Sequence, residues 1–212
     1  MLLLCSNGLS SEKLLTQLRV HTGGCATAAL VVTADPEYKE RNYHVPRCIQ
    51  ELEKLNLKID ILDIDENDPA ILLNYDVVEF IGGNPFYLLD AIRKSGAAEI
   101  LHTIAADKIL IGWSAAAFVF GPSLELVNRY SPEMNFVGLQ DLTALGLTKT
   151  EILPHYDRFL TKFPGFEETC NAYETAHQTT VLRLKDGEGI FLDTTNQHRT
   201  KGSPCEGSCQ RS

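Results

Sequence analysis

Lys108-Ile-Leu-Ile-Gly-Trp-Ser-Ala-Ala-Ala117 decides how this chain is read. Ile109–Ile111 is an apolar run of strand length, Gly112, Ala115 and Ala116 surround Ser114 with the smallest side chains, and the alanines lead into a helix-prone segment. A serine on a sharp strand-to-helix turn is pushed out of the sheet edge, and only small neighbours let backbone and an incoming reactant come that close. The pattern Gly-x-Ser-x-Gly is met except at its last position, where Ala116 stands. Taken alone, the stretch also fits a buried parallel strand ending in a small-residue turn.

Similar apolar runs recur at Leu2–Cys5, Ala29–Thr33, Ile59–Ile64 and Val77–Ile81. Their Val, Ile and Leu do not alternate with polar residues, which is the pattern of parallel strands covered on both faces. The segments between them, such as 38–54 and Pro85–Ser95, have the length and spacing of crossover helices. In the first of these, Val45, Ile49, Leu52 and Leu55 predict one helix face packed on the sheet, with Pro46 either kinking the helix or marking its start. After Leu142 the strands become shorter and more polar. Thr180–Leu184 and Gly189–Leu192 flank Lys185-Asp-Gly-Glu188, and Asp-Gly between apolar runs signals a hairpin. The expectation is a single α/β domain over residues 1–212, with a mostly parallel sheet, helices on both faces in three layers, and a C-terminal β-hairpin. Residues 195–212 are polar and turn-rich and are expected to form a weakly ordered tail.

The balance of 28 acidic to 19 basic residues gives a net charge of −9, and no Lys/Arg run interrupts it. That argues against nucleic acid or an anionic membrane as partner and favours a small substrate. Met1–Cys5 is too short for a signal peptide and no run approaches a membrane span, so a soluble, cytoplasmic protein is expected, as monomer or homodimer. Cys5, Cys25, Cys48, Cys170, Cys205 and Cys209 form no framework and read as reduced thiols. Cys205 and Cys209 near His198 lack a second ligand pair, so neither a metal nor a cofactor is expected.

In an open parallel sheet the loops at the carboxyl ends of the strands converge on one crevice. Besides Ser114, the turn Gly82-Gly83-Asn84-Pro85-Phe86 follows such a strand, and its glycines suit either a tight turn or backbone N–H groups offered to an oxyanion. A nucleophilic serine needs a base, and His155 in Leu153-Pro-His-Tyr-Asp157 is the best-placed histidine. His21, His44, His102, His177 and His198 read as surface residues. A carboxylate must then orient the imidazole. Asp186 is the candidate and Glu188 the reserve, Asp157 being too near His155 in sequence to wrap onto its ring.

The order serine, histidine, acid differs from the serine, acid, histidine order of α/β-hydrolases. With Gly112-Trp-Ser-Ala115, Pro154-His155 and Leu184-Lys-Asp-Gly187, the chain resembles the dipeptidase E (alpha-aspartyl dipeptidase) family of serine peptidases, relatives of cyanophycinase, over most of its length. The resemblance implies a class I glutamine amidotransferase-like (flavodoxin-like) fold and a triad of Ser114, His155 and Asp186. It also implies an oxyanion hole at the N–H groups of Gly83 and Ala115, and hydrolysis of short peptides, with a requirement for N-terminal aspartate left open. Ile81 and Ala116 stand where many relatives carry glycine, which keeps open a catalytically silent relative that binds a small peptide or metabolite. A nucleotide module using Gly82-Gly83 is disfavoured, since neither Gly-x-Gly-x-x-Gly nor a P-loop is present. Arg129, Arg158 and Lys162 are the basic residues that could meet an acidic substrate.

Overall fold

A computed structural model describes residues 1–193, and its centre is the sheet built by the apolar runs. The strands are β1 (Leu2–Cys5), β2 (Thr27–Val31), β3 (Lys58–Leu62), β4 (Val77–Phe80), β5 (Ile109–Trp113), β6 (Glu151–Leu153), β7 (Val181–Arg183) and β8 (Gly189–Leu192). Six of them form one sheet in the order β3-β2-β4-β5-β1-β8, in which only β8 runs antiparallel. The interior strands β1, β4 and β5 are buried along their whole length, which is why they read as unbroken apolar runs. β3 at the outer edge exposes Lys58 and Asp60, charges that discourage pairing with another chain.

Because successive strand residues face opposite ways, Leu3 and Cys5 of β1 enter one apolar core and Leu2 and Leu4 the other. The first core is closed by α1 (Glu12–His21) and α2 (Val45–Glu53), through Leu14, Leu18, Cys48 and Leu52. The second is closed by α3 (Pro85–Ser95), α4 (Ala98–Asp107), α5 (Ala115–Phe120), α6 (Glu125–Tyr130), α7 (Tyr156–Lys162) and α8 (Phe166–His177). Helices therefore cover both faces of the sheet, giving the three layers expected.

Local chemistry sets the helix boundaries. Pro46 sits in the first turn of α2, where its missing N–H costs nothing, so the proline starts the helix rather than kinking it; the residues before it make only a 3₁₀ turn at Lys39–Arg41. α3 begins at Pro85 because the Asn84 side chain accepts from the N–H groups of Phe86 and Tyr87, and it ends at Gly96, whose φ of 74° suits glycine.

The C-terminal strands stand where the Asp-Gly signal puts them, joined by a turn in which Glu188 N–H donates to the Lys185 carbonyl. Their pairing differs from a closed hairpin. β7 runs parallel to β6 in a separate two-stranded sheet, and β8 pairs with β1. The free edge of β1 offers β8 a buried apolar partner, and Gly189 lets it lie close, since a Cβ there would be 3.0 Å from the Leu4 carbonyl oxygen. His198, Cys205 and Cys209 and the expected tail lie outside the described residues.

Candidate active site

Three adjacent parallel strands, β4, β5 and β1, end side by side, with Phe80 opposite Gly112 and Cys5 opposite Trp113. Their carboxyl ends bring Gly82-Gly83, Ser114 and Ser6 to one edge, at the position where open α/β sheets hold their ligands. A second pair of strand ends faces them. β6 and β7 are in register at Leu153 and Arg183, so His155 and Asp186 leave neighbouring strands a few residues further on, and the Tyr156 N–H ties the two loops by donating to the Leu184 carbonyl at 3.1 Å.

Ser114 has φ 53° and ψ −111°, a conformation that L-residues rarely adopt and that costs about 1–3 kcal/mol. Gly112 makes the turn possible, since a Cβ there would lie 2.6 Å from the Phe120 ring. Within this turn the strain falls on the serine. Ala116 lies inside α5 with ordinary helical backbone, so its methyl group is accommodated, and Ile81 is buried in the core against α1 and α2.

His155 Nε2 lies 2.9 Å from Ser114 Oγ, and its Nδ1 lies 2.7 Å from Asp186 Oδ1. Sequence reasoning did not find Ser6. Its fully buried hydroxyl donates to Asp186 Oδ1 at 2.9 Å and accepts from the His155 backbone N–H at 2.8 Å, locking acid and histidine to the end of β1. The usable signal is a lone small polar residue directly after an apolar strand, on the edge where the other site residues gather. Glu188 does not reach the histidine; its carboxylate accepts from the Lys185 N–H within the turn.

Burial lowers the pKa of His155 below its ordinary value, against the opposing pull of Asp186, so the ring is neutral and able to accept a proton near neutral pH. Burial pushes Asp186 the other way. The hydrogen bonds from His155 and Ser6 and the charge of Arg158 outweigh it and hold Asp186 ionised.

Trp113, directly before the serine, is clamped from the opposite face. Its indole N–H donates to Glu79 Oε1 at 3.0 Å, and the His44 ring meets it edge-on at 5.2 Å, so His44 is a half-buried neighbour of the site rather than a surface residue. Burial, reinforced by the negative charge of Glu51, pushes Glu79 up to about 8. Gly82 packs flat on the indole, where a Cβ would be 2.5 Å from Trp113 Cζ3.

Of the three basic residues considered, Arg158 pairs with Asp186, behind the histidine. Arg129 is directed to α8, with Nη2 3.2 Å from His177 Nε2 and its guanidinium over the Tyr173 ring. Only Lys162 lines the cleft beside Ser114, a space of about 170 Å³ whose walls also include Gly83, Ala115, Phe118 and Phe159. Among the described residues no group of three or more His, Cys, Asp or Glu could hold a metal ion, and no helix is long and apolar enough to cross a membrane.

The sequence profile described as peptidase family S51 matches residues 2–200. An uncharacterized peptidase of Listeria monocytogenes is 29% identical over 171 residues, covering 78% of this chain and 82% of the relative. Peptidase E of Escherichia coli is 31% identical over 143 residues, covering 65% of this chain and 60% of its own length. The crystal structure of a Listeria monocytogenes protein named after peptidase E superimposes with a TM-score of 0.71 at 28% identity, covering 90% of this chain and 93% of that one. A peptidase from an acI-B1 Actinobacterium shares the fold, with a TM-score of 0.64 at 16% identity over 89% of this chain and 81% of that one.

Proposed function

Because the chain belongs to peptidase family S51, a family of serine peptidases, we propose that it hydrolyses short peptides through an acyl-enzyme on Ser114. The observation that supports this is the hydrogen-bonded series Ser114, His155, Asp186, with the base between a nucleophile at 2.9 Å and a carboxylate at 2.7 Å.

In this mechanism Ser114 Oγ attacks the scissile carbonyl while its proton passes to His155 Nε2. Asp186 holds the imidazole with Nδ1 protonated and stabilises the cation that forms. The carbonyl oxygen becomes an oxyanion, which the N–H groups of Gly83 and Ala115 receive. Ala115 is the first residue of α5, so its N–H has no partner within the helix. Collapse breaks the C–N bond, and the proton on Nε2 goes to the departing amine. Water then repeats the sequence to release the acid. Neither a metal nor a cofactor enters any step.

The test is labelling by a fluorophosphonate, read by intact mass. One adduct on Ser114 is expected, with a labelling rate that rises with pH. The active species is neutral His155, whose pKa burial holds below that of an ordinary histidine, so the rate should rise as the ring loses its proton in mildly acidic solution and level off at higher pH. No adduct on folded protein, or a rate still climbing above pH 8, refutes the reading.

The glycine loop gives a second expectation. A Cβ on Gly83 would lie 2.2 Å from the Ala34 carbonyl oxygen, which is backbone and cannot swing aside. Gly83→Ala should therefore destabilise the fold by about 1–3 kcal/mol in urea unfolding. Displacing this loop by about 1 Å should also slow Ser114 labelling on the order of 100-fold. Wild-type labelling by Gly83→Ala would remove the loop from the oxyanion role.

A further inference from the structure

The space beside Ser114 has a definite chemical character. It is bounded on the reaction side by Gly83, Ser114 and Ala115, and its other walls are largely apolar, among them Phe118, Val127 and Phe163. Its volume of about 170 Å³ is close to that of an apolar protein cavity, about 150 Å³, that takes up benzene. It therefore suits one large apolar or aromatic side chain.

The same space offers little to a carboxylate. Lys162 is the one charged residue lining it, and that side chain is solvent-exposed, with its ammonium lying over the Phe163 ring at 4.9 Å. Arg158 is committed to Asp186, and Arg129 to α8. Apart from Ser114, the polar side chains that remain in the lining are Ser131 and Tyr130, whose buried hydroxyl has no hydrogen-bond partner among the described residues; these neutral groups can donate to a carboxylate but do not replace the hydration and counter-charge it would lose on being carried inward.

The position of the base decides which side of the scissile bond the space serves. A leaving amine must remain within reach of His155 Nε2 to receive its proton, and His155 does not line this space. The oxyanion donors do line it. The side chain next to them belongs to the residue whose carbonyl is attacked.

We propose that this cleft selects peptides whose residue on the acyl side of the scissile bond is large and apolar or aromatic, and disfavours aspartate there. The inference rests on Ser114 being the nucleophile. Val127 of α6 and Met134, in the 3₁₀ turn that follows it, form the wall that sets the size limit.

The full chain is assayed with Phe-, Leu-, Ala- and Asp-aminoacyl p-nitroanilides and the matching dipeptides, alongside fluorophosphonate labelling. kcat/KM for Phe or Leu should exceed that for Asp by on the order of 10–100-fold, the range that burial of an apolar group gives in a pocket. Met134→Trp, at a half-buried position whose backbone bonds do not depend on its side chain, should lower the Phe-to-Ala ratio of kcat/KM on the order of 10-fold, with thermal unfolding confirming the fold. Labelled Ser114 with Asp as the preferred residue, with no discrimination, or with no turnover of any of these substrates overturns the proposed specificity alone. So does a Phe-to-Ala ratio unmoved by Met134→Trp. Folded protein that fails to label at Ser114 overturns the serine-peptidase reading and the specificity with it.

Discussion

Ser114→Ala should abolish fluorophosphonate labelling and lower kcat on peptide substrates by a factor on the order of 10⁶, the size of the loss when a serine peptidase loses its nucleophile. The residual activity is whatever binding and the oxyanion donors supply without covalent chemistry. Fold is not at issue, because among the described residues the hydroxyl's hydrogen-bond partner is the histidine, at 2.9 Å, and a methyl group occupies less space. The backbone strain at φ 53° persists with alanine, so the melting temperature should move by no more than a few degrees. Kinetics of purified wild type and variant decide the matter. A variant retaining a tenth or more of wild-type kcat would mean that Ser114 is not the nucleophile.

Asp186→Asn should cost about 10⁴ in kcat, the magnitude seen when a triad aspartate becomes an amide. Asparagine keeps the shape but replaces a carboxylate oxygen with a donor. At 2.7 Å from Nδ1 the amide either donates to the ring, leaving the proton on Nε2 where it cannot accept from the serine, or offers a neutral oxygen that stabilises the cation poorly. The side chain also loses its charge-assisted bond from Ser6 and its pairing with Arg158, but Arg158 is more than half exposed and contributes little. The readout is kcat together with the labelling rate, and the circular dichroism spectrum should match wild type. A loss under 10-fold would transfer the orienting role to another group.

Much of this arrangement is legible from local chemistry. Leu2–Cys5 and Ile109–Ile111 read as strands covered on both faces, and a serine set among Gly112, Ala115 and Ala116 fits a tight exit from one of them, whether a nucleophile elbow or a plain small-residue turn. His155 is legible as the base a nucleophilic serine would need and Asp186 as its orienting acid, with Glu188 in reserve, and the structure places His155 and Asp186 in a hydrogen-bonded series with Ser114. The misses have a common cause, which is that each depends on a partner distant in the chain. Ser6 matters because β6 and β7 deliver their loops beside β1. β7 pairs with β6 and β8 with β1 because those partners are available in space, a choice that the Asp-Gly turn does not encode. His44 is half-buried because Trp113 lies beneath it, and Arg129 faces α8 because α6 packs there. Spacing along a chain reports what a residue can do locally, whereas these outcomes are set by which surfaces meet.

The split of the site between the strand ends of the large sheet and the small β6–β7 sheet has a consequence for biosynthesis. Ribosomes deliver Ser6 first, Ser114 next and Asp186 about 70 residues after the serine, which at roughly 5–20 residues per second separates nucleophile from acid by several seconds. For the first part of that interval His155 is also missing, for the rest it has no carboxylate beside it, and throughout the edge of β1 lacks β8. On the proposed mechanism, one short stretch, Asp186 to Leu192, supplies both the carboxylate that orients the histidine and the strand that covers the edge of β1, so the site and the sheet are completed together.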